Sequence, residues 1–421
     1  MNTIMQAISL MENNQAEKAM ELLENYLPSA DEEEKYTIAE IYIQWGLIQE
    51  AIAILNELLQ SYPQESELKV QLADLYTELE NDEEAINLLN EIDEEDPEYV
   101  SALVQLADLY QSQGLFEVAQ QKLLSAKQIE PNEVIIDFAL GELLFSTGEY
   151  NQAITYYEKV RTEMDEINYV SIDERLAEAY AAAGEYEKSL SFYDSLESEE
   201  PDTLFKYGLA AHQASRNDIA IHAWEKVIEL DKYYHSSYYH LTKVYEEEGM
   251  LKDAYETANN GLKIDEFNKE LYFLAGGLAQ KLHAEEESEK RMREAIAIDP
   301  DYKEAILFLI RLLKNKSHFE GIIDLLVEIK GTGAEDALYE WELARAYNET
   351  DSYNNALKHY QQAYNNLKQD SEFLKEYGYF LTEEGRMEEA ISVFKSYMRL
   401  EPDDAESEEF LDRLMQSGEE S

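Results

Sequence analysis

Apolar residues recur at helical spacing over stretches of about fourteen residues, each followed by a short polar break and a second stretch of the same kind. The pattern predicts pairs of antiparallel helices. Residues 140–154, LGELLFSTGEYNQAI, hold the inner ends of one such pair. Gly141 stands inside the first apolar run, where glycine costs on the order of 1 kcal/mol relative to alanine. Shifted back by 34 residues, the stretch aligns with LADLYQSQGLFEVAQ, so that Ala107 replaces Gly141, Gly114 matches Gly148 and Ala119 matches Ala153. The glycine therefore belongs to a repeat of small residues.

The same small site recurs at Ala39, Ala73, Ala107, Gly141, Ala177, Gly208, Thr242, Gly276, Ala344 and Gly378. Twelve places after each comes a second, at Ala51, Ala85, Ala119, Ala153, Ser189, Ala220, Ala254, Ser288, Ala356 and Ala390. Two helices crossing at small side chains explain both rows. Pro63, Pro97 and Pro131 mark the same period of 34, while Pro131 to Pro201 spans 70 residues and Pro201 to Pro300 spans 99. The frame therefore slips near residues 162–170 and 199–206, where loops can change length. Gly46, Gly114, Gly148, Gly184, Gly249 and Gly385 share one turn position, which predicts positive φ between the two helices. A single hairpin cannot bury both its faces, so neighbours are expected to stack into a solenoid.

This small, aromatic, small, proline pattern resembles the tetratricopeptide repeat, a helix-turn-helix unit of about 34 residues. The resemblance implies an all-α tetratricopeptide-repeat solenoid, a right-handed superhelix of about eleven to twelve hairpins that has begun by about residue 15, helical throughout. Residues 403–416 read as an amphipathic helix capping the last apolar face, followed by a frayed tail at 417–421. A distorted unit is expected around Ile310 and Ile322, where both small sites are isoleucine, and beside 330–336, where the proline is missing.

In tetratricopeptide proteins one face of the first helices lines a concave groove that binds partner segments. Positions three before, one after and four after the small site share such a face. One after it stand Glu40, Asp74, Asp108, Glu142 and Glu178, followed further on by Lys243, Arg311 and Arg345. Three before it stand Tyr36, Phe138, Phe205, Tyr239, Phe273 and Trp341, the expected apolar anchors. The resemblance thus implies a groove whose acidic part receives a basic or amphipathic segment. The segment at 231–245, DKYYHSSYYHLTKVY, adds five tyrosines and two histidines, divided between core and interface.

Charge narrows the partner class. With 34 Lys+Arg against 91 Asp+Glu the formal net charge is −57, a field that repels nucleic-acid phosphates and anionic bilayers. Residues 1–165 hold 35 acids and 7 bases, so they are read as an N-terminal acidic array, with 166–402 continuing the repeats and 403–421 forming the cap and tail. There is no cysteine, which excludes disulfides and thiolate chemistry. No export signal or spanning segment stands out, and a cytoplasmic protein is expected. The seven histidines show no i, i+4 pair, and no phosphate loop, HExxH or calcium loop occurs. No cofactor, metal or catalytic activity is expected.

The reading is a non-catalytic adaptor or scaffold that binds other proteins. The acidic, tyrosine-rich, cysteine-free composition resembles that of all-repeat scaffold proteins of low-GC Gram-positive bacteria. A peptide-sensing regulator or a co-chaperone-like protein is the alternative. The clamp-type co-chaperones grip acidic peptides with lysine and asparagine, which Glu40, Asp74 and Asp108 would oppose.

Overall fold

The computed structural model of the protein describes residues 2–419, which form twenty-five α-helices and one two-stranded ladder. Packing divides the chain into two compact units, Met1–Ser198 and Glu199–Ser421, with the division at the second of the expected slips. The N-terminal array ending at residue 165 was a division by charge; the division by packing falls at Ser198.

In the first unit the helices are α1 (Asn2–Glu12), α2 (Ala16–Tyr26), α3 (Glu32–Gln44), α4 (Ile48–Ser61), α5 (Ser66–Glu78) and α6 (Asp82–Asn90). They are followed by α7 (Tyr99–Ser112), α8 (Phe116–Ile129), α9 (Val134–Ser146), α10 (Tyr150–Arg161), α11 (Ile172–Ala182) and α12 (Tyr186–Leu196). The second unit begins with α13 (Pro201–Gln213), α14 (Asn217–Leu230), α15 (His235–Glu247), α16 (Leu251–Ile264), α17 (Lys269–Lys281) and α18 (Glu285–Ile298). It ends with α19 (Lys303–Asn315), α20 (Phe319–Gly331), α21 (Ala337–Glu349), α22 (Tyr353–Tyr364), α23 (Ser371–Glu383), α24 (Met387–Leu400) and α25 (Ala405–Glu419). Odd and even helices pair into twelve hairpins, six in each unit, and α25 stands alone.

All twelve hairpins close with the same turn. One residue takes a φ between +51° and +83°: Asn14, Gly46, Glu80, Gly114, Gly148, Gly184, Ser215, Gly249, His283, Ser317, Asp351 and Gly385. The next amide then reaches back five residues to a carbonyl of the first helix, as in Leu115 N to Tyr110 O and Asn81 N to Tyr76 O, both 2.8 Å. This is the Schellman closure, which satisfies carbonyls that a helix end leaves open. Half of these positions lack glycine, so the sequence marked only part of the frame. The spacing of the turn residues is 34 for most neighbours, 36 from Gly148 to Gly184 and 31 from Gly184 to Ser215. The first hairpin, α1 with α2, turns at Asn14, with Ala7 and Ala19 fully buried at its crossing.

At the crossings the small residues are buried, and Ser189 donates its hydroxyl directly to the Ala177 carbonyl on the facing helix at 2.7 Å. A Cβ on Gly141 would lie 2.6 Å from Cε1 of Tyr157, a ring with no exposed surface. Gly208 faces Trp224 and Gly378 faces Phe394 in the same way. The glycine is thus the volume partner of an aromatic sixteen residues later. Where the crossing holds Ile310 and Ile322, the two helices of the hairpin, α19 and α20, make the fewest close backbone approaches of any hairpin. The expected distortion is a splaying caused by side-chain bulk.

Helix throughout is corrected at one place. Glu166–Ile167 (β1) pairs antiparallel with Val170–Ser171 (β2) in the loop that carries the first slip. Ser171 then accepts from the Glu174 amide at 3.3 Å and caps α11. At the C-terminus α25 lays Phe410, Leu411 and Leu414 over the last hairpin, with Phe410 at 4.9 Å from Tyr379 and 5.2 Å from Phe394. The frayed tail expected at 417–421 lies outside the described residues, apart from the backbone of 417–419, which continues α25.

Two glycines inside helices give opposite expectations. Gly141→Ala drives a methyl into an immobile ring and costs about 1–3 kcal/mol despite better helix propensity. A Cβ at Gly277 meets nothing within 4 Å, so Gly277→Ala gains about 1 kcal/mol. Urea unfolding of the two variants measures both, and adding Tyr157→Leu to Gly141→Ala recovers most of its loss.

Candidate protein-interaction groove

The first helices of successive hairpins lie side by side within each unit, and the residues flanking each small site meet there. In the first unit Glu40, Asp74 and Asp108 are exposed, whereas Glu142 and Glu178 are half-buried. The last two share a cation: Arg175 Nε lies 3.0 Å from Glu142 and Nη1 lies 2.7 Å from Glu178. Glu142 also accepts from the Tyr157 hydroxyl at 2.6 Å, and burial together with that carboxylate pushes the phenol far above its usual range. The acidic row is therefore open at its first three positions and internally neutralised at its last two.

Asp74, Asp108 and Glu142 border one cleft of about 490 Å³, whose apolar lining includes Val104, Leu123 and Phe138. Although Asp74 is exposed at its surface, partial desolvation by the surrounding cleft raises its carboxyl pKa, an effect partly offset by a hydrogen bond from Gln105. Tyr36 lies outside this cleft. It borders a second cavity of about 420 Å³ with Glu32, Glu33, Tyr62, Glu65 and Glu67. Burial and the nearby Glu67 raise its phenol pKa.

In the second unit the aromatic row wedges between neighbouring first helices. Phe205 packs against Tyr234 at 5.0 Å and His240 at 5.4 Å, and Phe273 against Tyr302 at 5.4 Å and Phe308 at 5.9 Å. These rings hold hairpins together while keeping part of their surface open. Lys243 lies over Tyr239 at 5.8 Å and the exposed Arg311 over Phe308 at 5.1 Å. Burial lowers the pKa of His240, with His212 and Lys243 adding to the effect. The tyrosine- and histidine-rich segment is thus largely a packing seam.

Two expected groove residues are corrected. Trp341 is only 6% exposed, and its indole N–H donates to Glu376 at 2.8 Å. Arg345 stacks on that indole at 3.9 Å and binds Glu376 through Nε at 2.8 Å and Glu342 through Nη1 at 3.1 Å. Tyr360 donates to Glu376 as well, at 2.8 Å. Trp341 is therefore not an open anchor and Arg345 is not an open cation; both hold two hairpins together.

Arg175 and Glu376, missed in the sequence, obey one rule: each stands two places before its small site, Ala177 or Gly378. From there the side chain reaches the first helix of the preceding hairpin. His240 and Phe308 occupy the same position and meet Phe205 and Phe273. Gln71 and Gln105 do so toward Tyr36 and Asp74. Opposite charges at this offset, Glu142 with Arg175 and Arg345 with Glu376, were the available signal. Among the described residues, no group of three or more histidines and carboxylates is placed to hold a metal ion.

Stacked hairpins with small crossings, one shared turn and a capping helix define a tetratricopeptide-repeat protein. Residues 42–106 match the tetratricopeptide repeat family, residues 111–164 the family described as YpiA-like, tetratricopeptide repeats, and residues 338–404 its C-terminal repeats. The chain is 40% identical over 417 residues to the TPR repeat-containing protein YpiA of Bacillus subtilis (strain 168), covering 98% of this chain and 99% of that protein. It belongs to the YpiA family of tetratricopeptide-repeat proteins. Among solved structures it is similar to YrrB, a TPR protein with an unusual peptide-binding site, at 17% identity and a TM-score of 0.38, over 44% of this chain and 95% of that one.

The raised pKa of Asp74 has a definite sign. Its folded value lies above its unfolded one, so the stability it contributes is present at low pH and lost as pH rises through the folded value. At neutral pH the ionised carboxylate weakens the fold. Asp74→Asn should therefore raise the urea midpoint at pH 7, with the gain shrinking as acid protonates the wild-type residue.

Proposed function

We propose that this protein is a non-catalytic adaptor that holds a basic or amphipathic segment of a partner protein against the first helices of its N-terminal unit. The supporting observation is the cleft in which the open carboxylates of Asp74 and Asp108 rim an apolar floor that includes Val104 and Phe138. A lysine- or arginine-rich amphipathic segment fits both features, placing apolar side chains on the floor and cations on the rim. Asp74 and Asp108 are exposed and bind no cation among the described residues, which leaves both charges available to a partner.

The acidic rim argues against a co-chaperone that grips acidic peptides. A peptide-sensing regulator would use the same cleft and differs only in what the bound segment triggers. In the second unit Lys243 and Arg311, each over an aromatic ring and without an ion pair among the described residues, suit an acidic or polar segment. The net charge of −57 disfavours nucleic acid. No helix among the described residues is long and apolar enough to cross a membrane; the cysteine-free composition suits a reducing compartment, and the cytoplasm is the proposed location.

The test is kinetic. A lysine-rich amphipathic probe peptide is mixed with the wild type and with a variant carrying Glu40→Gln, Asp74→Asn and Asp108→Asn, the three positions without a bound cation. Association of the variant should be about tenfold slower at low salt and should lose most of its salt dependence, because exposed attraction is screened within ~8 Å at physiological ionic strength. Equal rates and equal salt slopes would reduce the acidic row to a solvated face.

A further inference from the structure

The loop between α10 and α11 carries a protrusion that the repeat does not need. Two residues are added to the period here, and β1 and β2 form a hairpin whose turn residues are Asn168 and Tyr169. Ile167, 6% exposed, roots it in the core beside Tyr157, Val160 and Ile172, and the Ile172 amide closes its base on the Asp165 carbonyl at 3.0 Å.

Both turn residues have positive φ, +49° at Asn168 and +65° at Tyr169. Two-residue hairpins of this kind favour Asn-Gly, because a side chain at the second position is strained in the left-handed region. Tyrosine accepts that strain and gains no packing in return. Its ring is 98% exposed and makes no hydrogen bond or ring contact among the described residues. A strained backbone whose side chain does nothing for the fold points to a role outside it.

We propose that the Glu166–Ser171 hairpin is a second docking element, with Tyr169 as its anchor, for a folded protein that offers an apolar pocket rimmed by lysine or arginine. Tyrosine is enriched among the residues that dominate interface energetics. The surface around it specifies the rim: Met164 is 46% exposed, and Glu163, Asp165 and Glu166 are exposed carboxylates. The nearby Arg161 already faces Asp173 at 2.5 Å, so the protrusion presents net negative charge around an apolar tip. This surface is separate from the Asp74 cleft and does not rest on it.

The experiment places the photo-crosslinking residue p-benzoylphenylalanine at position 169 of the full chain in its host cells, with Tyr233, 61% exposed in the other unit, as the control position. A discrete adduct specific to 169 is expected. The crosslinked protein, once purified, is titrated against the wild type, Tyr169→Phe and Tyr169→Gly. Tyr169→Phe should bind nearly as well as the wild type, and Tyr169→Gly about tenfold more weakly. The unfolding midpoint of Tyr169→Gly should be equal or higher, because glycine relieves the turn. No adduct above the control, wild-type affinity of Tyr169→Gly, or a fall in its unfolding midpoint would each overturn the proposal. The variant carrying Glu40→Gln, Asp74→Asn and Asp108→Asn should still form the adduct, which separates this surface from the cleft.

Discussion

The close crossing of two helices at a position with little or no side chain is the contact on which the rest of the structure depends. Beside it, one six-residue Schellman closure joins the first and second helix of every hairpin. The crossing sets how much volume the facing residue must supply. Gly141 with Tyr157, Gly208 with Trp224 and Gly378 with Phe394 are the same crossing solved with the bulk on the second helix. Ile310 and Ile322 show the alternative, in which bulk on both sides pushes the helices apart.

From that crossing the outward face of each first helix follows. The residue one place after the small site points along the groove wall, and the residue two before the next small site reaches back to meet it. What occupies the second position decides what becomes of the first. Ala139 leaves Asp108 open, Gln105 hydrogen-bonds Asp74, and Arg175 neutralises Glu142 and Glu178. The same geometry in the second unit closes Arg345 under Glu376. Charge on the wall is thus a property of pairs of hairpins, not of single residues.

This explains how far the sequence could be read. The hairpins, the small crossings, both frame slips and the terminal cap follow from periodicity and local propensity, which act within a few turns of chain. The shared turn was visible only at glycines; Glu80, His283 and Asp351 adopt the same left-handed backbone without that mark. The small sites of the first hairpin, Ala7 and Ala19, stand outside the rows read from the sequence because its turn residue is Asn14 and its spacing to Gly46 is 32. Trp341 and Arg345 matched the groove pattern by position, but their partner Glu376 lies 31 residues beyond Arg345, at an offset that a single-unit pattern does not contain. The β-hairpin carries no helical signal, and only the lengthened spacing marked its place.

The first helices α5, α7 and α9 form a cleft that is acidic on α5 and α7, where no cation of a neighbouring hairpin among the described residues binds Asp74 or Asp108, and apolar toward α9. Hydrogen exchange of the full chain, with and without the lysine-rich amphipathic probe peptide, tests this most directly. Slowed exchange confined to α5, α7 and α9, with the second helices α6, α8 and α10 unchanged, is the predicted result. Slowing on α6, α8 and α10 instead, or none on the three first helices, would contradict it.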